Sequence, residues 1–382
     1  MAKKKSNKLK IIGKFLLIVV TIVSFLALFF SLLAQITPPS FSRTITYCGL
    51  LFPYLLILNF VITIIWLIVD FTWALIPSVA ILLNVNNIDK HFQFRGLDKP
   101  EVCVNCLKVM SYNAKAFNIY QSNQKSLNRQ VIHFLQNEKP DILCIQEYSY
   151  DAKGKTGFNS TEAILQAMNI KDNERTHKVL LPFKNKLGYE FGMAIFSKYR
   201  IVGGGFVETS DSSSNKSMYV DIRYNGDTLR VYNIHMASMH LDSTDYETGK
   251  AMWAGNYDST FNNKAQKLTK KVFMAYVLRQ QQAKTVHKHI SECPYPVILC
   301  GDFNDSPASF SYHKILHGLK DSYRSSGSGT GTTYVGGDFP SYRIDYIAHD
   351  KQFNDFQYTV CRDLTVSDHY PIYTYISIVK KD

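Results

Sequence analysis

The sequence predicts an α/β protein in which two sheets face each other with helices outside them, preceded by a helical membrane anchor. Three observations carry that expectation. Long uncharged apolar stretches are confined to the first 100 residues. From residue 101 onward, short apolar runs rich in β-branched and aromatic residues outnumber the helical patterns between them. Several of those runs end in, or lead directly into, clusters of Asp, Asn, Glu and His. The expected division is therefore 1–100, an anchor of two or three transmembrane helices, and 101–382, a single folded domain.

The charge follows the same division. Of 43 Lys and Arg and 31 Asp and Glu, the first 100 residues hold 10 and 3, which leaves 33 and 28 for the remainder. The basic character is largely a property of the anchor, and charge at a membrane flank is weak evidence for nucleic-acid binding.

In the anchor, Lys14 and Arg43 bracket 28 uncharged residues, with Phe15–Ile36 as their apolar centre. As a helix those 22 positions rise about 33 Å, enough for a hydrocarbon core. The run is too long for a cleaved signal peptide, and another span follows it. Arg43 and Asp70 bracket 26 more uncharged residues that include Leu50–Val69. The third stretch, Phe71–Ile88, carries Pro77, Asn84, Asn86 and Asn87. Spanning, lying in the interface and re-entering are all open to it, and its 18 uncharged residues just reach the length of a span. Lys3, Lys4, Lys5, Lys8 and Lys10 place the N-terminus in the cytoplasm. The expectation is a multi-pass protein of the cell (inner) membrane, lodged in the bilayer through residues 15–88. Three spans, the favoured number, leave the folded domain extracytoplasmic; two leave it inside.

In the folded domain the β-type runs are Leu107–Tyr112, Ile142–Gln146, Met193–Phe196, Tyr219–Ile222, Leu229–Ile234, Val297–Cys300, Ile344–Ala348 and Ile372–Ile376. Helical patterns occupy Ser126–Asn137, Thr161–Met168 and a long Asn263–Ile290. Ser238–Asn262 reads as a polar surface excursion near the site, and Ser325–Thr333 as one mobile loop. Seven cysteines form no framework. Cys103 and Cys106 have the C-x-x-C spacing without a second Cys or His pair to complete a zinc site, and the plain reading is two cysteines at the entry to the first strand.

The polar clusters are Met110-Ser-Tyr-Asn113, the run from Pro140 to Gln146-Glu147, Tyr232-Asn-Ile-His235, Gly301-Asp302-Phe-Asn304, Arg343-Ile-Asp345-Tyr346 and Ser367-Asp368-His369. Singly, each has an ordinary explanation, because Asp and Asn cap strands and turns and a lone His is more often structural. Jointly, in this order and spacing, they resemble the endonuclease/exonuclease/phosphatase superfamily, which includes AP endonucleases, deadenylases, neutral sphingomyelinases, inositol-polyphosphate phosphatases and DNase I-like nucleases. The resemblance covers nearly all of residues 104–378. Its most specific pieces are Gly-Asp-Phe-Asn at 301–304 and Ser-Asp-His at 367–369.

The resemblance implies a four-layer α/β/β/α sandwich of two mixed sheets with the site at one rim. It implies a Mg²⁺-dependent hydrolase of phosphoester bonds, with Mn²⁺ as an alternative ion, and it implies the role of each residue. Glu147 is the main metal ligand, with Asn113 and Asp368 nearby in the metal and phosphate network. Asp302, helped by Asn304, activates or orients the attacking water. His369 hydrogen-bonds a phosphate oxygen, Asp345 fixes its tautomer, and His235 is a second phosphate-facing imidazole. Two positions depart from the AP-endonuclease pattern: Lys115 stands where those enzymes are acidic, and His235 where they tend to carry Tyr. Both look more like the phosphatase, sphingomyelinase and deadenylase branches. Lys115 is equally open to contacting phosphate or to being a solvated charge, and the missing acid puts a second metal in doubt. The expected partners are a phosphoester substrate and the bilayer, with no obligate protein partner evident. A phosphodiesterase or phosphatase acting on lipid head groups or small phosphoesters is the leading reading. A nuclease on DNA or RNA is the alternative, disfavoured by the acidic balance of Ser238–Asn262. A non-catalytic scaffold would be expected to lose Glu147, Asp302 or His369, and all three are present.

Overall fold

A computed structural model describes residues 2–95, 106–118, 124–151, 158–171, 176–184, 189–208, 216–336 and 341–378. The anchor runs α1 (Ala2–Leu33), α2 (Arg43–Leu50), α3 (Phe52–Val69), a 3₁₀ turn at Phe71–Ala74, α4 (Leu75–Leu83) and α5 (Val85–His91). Two of these helices are long and apolar enough to cross a membrane, and up to three if the bent pair ending in α5 counts as one. Several polar groups inside the bundle hydrogen-bond one another across helices. Trp66 Nε1 donates to Thr21 Oγ1 at 2.8 Å and Asn59 Nδ2 to Ser24 Oγ at 2.7 Å. The third stretch is bent by 57° between Leu83 and Val85. Asn84 and Asn87, both buried, sit at the bend, where Asn84 Nδ2 donates to the Leu28 carbonyl at 3.3 Å and Asn87 Nδ2 to Asn84 Oδ1 at 3.0 Å.

The folded domain continues with β1 (Phe92–Gln93), β2 (Cys106–Asn113), α6 (Gln124–Glu138), β3 (Ile142–Asp151), α7 (Ser160–Ala167), β4 (His177–Lys184) and β5 (Tyr189–Ser197). Then come β6 (Ile201–Val207), β7 (Ser217–Tyr224), β8 (Asp227–His235), α8 (Ser243–Ala254), α9 (Phe261–Ser291) and β9 (Val297–Asp302). The last elements are α10 (Phe310–Ile315), β10 (Leu319–Asp321), α11 (Ser322–Ser326), β11 (Gly329–Thr330), β12 (Asp345–Asp350), β13 (Asn354–Val360) and β14 (Ile372–Ser377). Two six-stranded sheets, in orders β13-β14-β2-β3-β5-β4 and β10-β12-β9-β8-β7-β6, stack face to face, and β1 pairs with β11 apart from them. Both sheets are mixed, with β2 parallel to β3 in one and β8 parallel to β9 in the other.

Strand alternation builds the layers. Val109, Cys144, Val231, Ile298 and Cys300 fill the space between the sheets. Their neighbours point outward: Met110, Leu143 and Ile145 pack under α6 and α7, and Tyr232, Ile234 and Leu299 under α9 and α10. This is the expected α/β/β/α sandwich. Each expected β-type run lies wholly or almost wholly within a strand, whereas β4, β6, β10 and β13 did not read as runs. These four are the outermost strands of the two sheets, and β10 has only three residues. β6 is glycine-rich and β13 largely polar, because an edge strand buries less.

One expectation needs correction. Ser325–Thr333 is no mobile loop: Ser326 ends α11 with its hydroxyl on Asp355 Oδ2 at 2.7 Å, and Gly329–Thr330 pairs with β1. Thr333 is fully buried and its Oγ1 accepts from the backbone of Ile344 and Asp345. Its Ser, Gly and Thr hydroxyls and amides are spent on structure, which composition alone does not reveal. Ser238–Asn262 is the expected surface excursion near the site, and α8 forms inside it behind a capping box between Asp242 and Asp245. Cys106 opens β2, at the strand entry as expected, and is disulfide-bonded, which excludes it as a zinc ligand; Cys103 lies outside the described residues.

Gly301 shows how tightly β8 and β9 approach beside the site, for a Cβ there would lie 2.2 Å from the Ile234 carbonyl oxygen. Gly301→Ala is expected to destabilise the domain by about 2 kcal/mol or more, read as a lowered thermal midpoint of the detergent-solubilised protein. An unchanged midpoint would show that the two strands can part at no cost.

Candidate active site

The sheet register gathers most of the site. On adjoining strands, His235 of β8 pairs with Asp302 of β9, and Asp302 with Asp345 of β12, so three functional side chains stand at one level. Across the gap, β2 ends in Asn113, and β3 carries Gln146 opposite it, followed by Glu147. The β3–β5 register shifts between Ile145 and Tyr148, and Glu147 sits in that bulge at φ 48°. A bulge with a left-handed residue re-aims a side chain that would otherwise face the neighbouring layer. Asn304, at φ 50°, is the second strained residue, in the turn that leaves β9.

Asp302 is the centre. Its buried carboxylate accepts from Asn113 Nδ2 at 3.0 Å, from Asn304 N at 2.7 Å and from Asn304 Nδ2 at 3.3 Å. His369 Nδ1 lies 2.9 Å from Asp345 Oδ2, while its Nε2 is 3.8 Å from Asp302 Oδ2. His235 Nε2 is 3.7 Å from Asp302 Oδ2 and 3.9 Å from Glu147 Oε1. Glu147 takes a 3.3 Å hydrogen bond from Asn113 Nδ2 and keeps 43 % of its side chain exposed, at the mouth of the depression. Asn113 thus brackets two carboxylates with its amide NH₂, and its Oδ1 accepts from Lys115 N at 3.1 Å. Lys115 is neither free nor distant. Its ammonium lies 2.8 Å from Asp368 Oδ2, with the Lys half exposed.

Burial dominates the electrostatics. It pushes the Asp302 carboxyl up, and although His369 and His235 pull the other way, the group stands at about 6. Burial opposes the charged form of His369, but Asp345 and Asp302 together outweigh it and lift the ring to about 10. His235 is driven down by burial and is neutral at pH 7. Burial also raises Glu147, partly offset by His369 and Asn113. The result is an imidazole held toward its charged form, a carboxylate raised to about 6 and a second imidazole held toward its neutral form, gathered around Asp302.

Sequence reasoning missed the residues that frame His369. Tyr334 lays its ring edge against the imidazole, with centroids 5.0 Å apart, and its hydroxyl meets Tyr246 of α8 at 3.0 Å. Thr333 and Val335 exchange backbone hydrogen bonds with Tyr370 and Asp368, which fixes the segment carrying His369. Tyr and Thr in a loop carry no sequence signal for such a role. The acids of Ser238–Asn262 also weigh less than the sequence implied, because Lys271 holds Asp242 and Asp245, and Lys264 holds Asp258.

Among the described residues, Asp302, Asp345 and His369 bring ligand atoms within 4.8 Å of one another. The His369–Asp345 hydrogen bond commits those atoms to an acid–base pair, and the ring is protonated. The carboxylate open to an incoming hard cation is Glu147, with Asp368 beside it; two carboxylates, one of them 43 % exposed, are oxygen donors that suit such an ion.

A family model described as the endonuclease/exonuclease/phosphatase family matches residues 110–369. The chain belongs to this family. It is a phosphoester hydrolase of that kind, and such hydrolases generally use a divalent metal. A second model, described as a domain of unknown function, matches residues 13–91. Among solved structures, an endonuclease/exonuclease/phosphatase family protein from Leptotrichia buccalis aligns at 18% identity and TM-score 0.51, over 71% of this chain and 99% of its own. The endonuclease/exonuclease/phosphatase from Bacteroides vulgatus aligns at 15% identity and TM-score 0.50, over 72% of this chain and 100% of its own. At these identities the likeness shows the fold alone. No curated protein matches.

The protonation pattern gives a pH dependence. Asp302, held up to about 6, is protonated below that pH and ionised above it, so hydrolysis of bis-nitrophenyl phosphate should rise as pH climbs through about 6. His369 keeps its proton until about 10, and the rate should fall beyond that. Asp345→Asn removes the strongest support for the charged ring, and the alkaline limb should move down by at least about one pH unit. If the limb stays in place, Asp345 does not set the His369 charge.

Proposed function

We propose that the chain is a Mg²⁺-dependent phosphodiesterase or phosphatase that meets lipid head groups or small phosphoesters at the surface of the membrane in which it is anchored, on the extracytoplasmic side. The observation that carries the chemistry is the charged His369–Asp345 pair facing a buried Asp302 and a half-exposed Glu147 across the rim of the two sheets. A divalent cation held by Glu147, with Asp368 alongside, would neutralise the phosphate and stabilise the leaving oxygen; Mn²⁺ also suits these donors. Asp302 accepts the proton of the attacking water, and Asn304 fixes the carboxylate by two hydrogen bonds. His369 donates from Nε2 to a non-bridging oxygen as charge grows there, and His235 offers a second nitrogen on the same side. Asn113 holds Glu147 and Asp302 apart at fixed separation.

The location rests on where the anchor touches the domain. Lys14 and Asp70 pair at one end of the bundle at 2.7 Å, on the side of the N-terminal lysines. At the other end, the Leu50 carbonyl accepts from Tyr342, Lys90 bonds Gln35, and Arg324 pairs with Asp89 at 2.7 Å. α1 therefore rises to the domain, α3 descends, and α4 with α5 rises again. That supports three traverses and a domain opposite the cytoplasmic N-terminus. The disulfide at Cys106 fits an oxidising compartment.

Asp302→Asn and His369→Ala are each expected to lower turnover by roughly a hundredfold or more. Glu147→Gln should instead raise the Mg²⁺ needed for half-maximal rate. Near-normal turnover in the first two, or an unchanged metal requirement in the third, would remove these roles. For location, Gln352→Cys, exposed beyond β12 in a background without the other cysteines, should react with an impermeant maleimide on intact spheroplasts. Labelling only after lysis would place the domain in the cytoplasm.

A further inference from the structure

Away from the active site, an open cleft of about 590 Å³ lies where the anchor meets the domain. One wall is the C-terminal part of α9, with Lys284, His287 and Lys288; the other is α10 and the turn after it, with His313, Lys314 and His317. Gln35 and Ile36, just beyond α1, form its membrane-side edge.

Among the described residues, no acidic side chain lines the cleft. Glu292 lies 3.9 Å from Lys288, with both side chains largely exposed. Basic residues in the last turn of a helix are ordinarily explained by the helix dipole, about half a charge at each C-terminus. Two such ends offset only about one of the three ammonium charges. Lys284 also lies two turns before the end of α9, beyond the reach of that effect. The rings of His287 and His317 are 5.6 Å apart, and His287 Nδ1 is buried with no hydrogen-bond partner among the described residues. Burial, and after it the neighbouring positive charge of Lys314 and His317, holds His287 below its usual value. These imidazoles are not grouped at metal-ligand spacing, which among the described residues is met only by Asp302, Asp345 and His369. An anion with several oxygens fits where a cation does not.

The position selects the anion. Ile36 is 62 % exposed and follows directly on the apolar helix α1, so the cleft opens at the depth where that helix leaves the hydrocarbon. Lipid phosphates are the anions concentrated there. We propose that this cleft is a second, non-catalytic site that holds the head-group phosphate of an anionic phospholipid and seats the domain on its own bilayer. The proposal uses the proposed anchoring of the chain, in that residues 35–36 lie at a membrane surface.

The test is native mass spectrometry of the full-length protein, delipidated in detergent and offered phosphatidylglycerol and phosphatidylcholine together. The unmodified protein should retain phosphatidylglycerol in preference by roughly tenfold, and Lys284→Glu with Lys314→Glu should abolish the preference, since each exchanges an attractive charge facing the head group for a repulsive one. Lys267→Glu with Lys270→Glu, exposed on α9 outside the cleft, should leave it intact. Retained hydrolysis of bis-nitrophenyl phosphate certifies that each variant is folded. A preference that survives the cleft substitutions, or that the control pair abolishes equally, would overturn the assignment. So would binding of inorganic phosphate that displaces phosphatidylglycerol, which would make the ligand a soluble phosphate. The maleimide result at Gln352→Cys separates the two readings. A cytoplasmic domain that keeps the preference puts the cleft against the inner leaflet, whereas an outward domain without it removes the cleft alone.

Discussion

The arrangement depends on a single buried carboxylate. Asp302 ends β9 in one sheet, and the hydrogen bond it accepts at 3.0 Å comes from Asn113, which ends β2 in the other. A buried charge without partners is costly enough to unfold or neutralise the site, so this bond makes the alignment of the two rims a condition of stability. One layer deeper the same device recurs. Gln146 donates to Asn233 Oδ1 at 2.6 Å, and Asn233 donates in turn to the carbonyls of Ile145 and Ala194. These amides cross an otherwise apolar interface and pin β3 to β8. A slip of one residue would strand several polar groups at once.

Around that centre a second ring of buried ions holds the loops. Asp305, three residues after Asp302, pairs with the fully buried Arg279 of α9 at 3.3 Å, and Arg279 also donates to the Ala237 carbonyl just past β8. The turns leaving β8 and β9 are therefore tied to one guanidinium. Because removing one partner of such a pair leaves a naked charge, the pair acts more as a positional constraint than as a net source of stability. The strain at Glu147 and Asn304 is tolerated inside this frame, where each strained residue points a functional group at the site.

Much of this was legible in the sequence, for a physical reason. Central strands are buried on both faces and so read as apolar runs, and side chains that finish such strands must emerge at a rim. Gly301-Asp302-Phe-Asn304 and Ser367-Asp368-His369 could be read for that reason. The edges could not, because β6 and β13 lack the apolar signal. Nor could the groups that act from loops: Tyr334 reaches His369 through a bridge to the chain around Asp368, a contact between segments that share no local pattern. Lys115 was left undecided between phosphate and solvent because its outcome depends on Asp368, more than 250 residues away, and on a left-handed run from Lys115 to Asn118 that turns the ammonium back into the site. That ammonium gives the mouth a fixed positive charge beside Glu147, which bears on how many cations the site has room for.

The anchor and the site are joined through the same motif residues that carry the chemistry. Arg343 stands two positions before Asp345, is buried, and holds Asp321 by two hydrogen bonds at 3.1 and 2.7 Å. Its remaining reach is to the Lys90 carbonyl of α5, at 2.9 Å. A guanidinium is planar and spends its donors in fixed directions, so α5 cannot shift relative to β12 without breaking a buried, charge-assisted bond. Tyr323, stacked on Arg343, adds a bond from its hydroxyl to the His91 carbonyl at 3.0 Å. A flexible tether would need none of these contacts, since a linker of a dozen polar residues holds a domain near a bilayer without fixing its orientation. A rigid joint is useful only if orientation matters. The joint reaches the strand that carries Asp345, the partner of His369, and it therefore fixes the orientation of the reaction centre relative to the N-terminal helices.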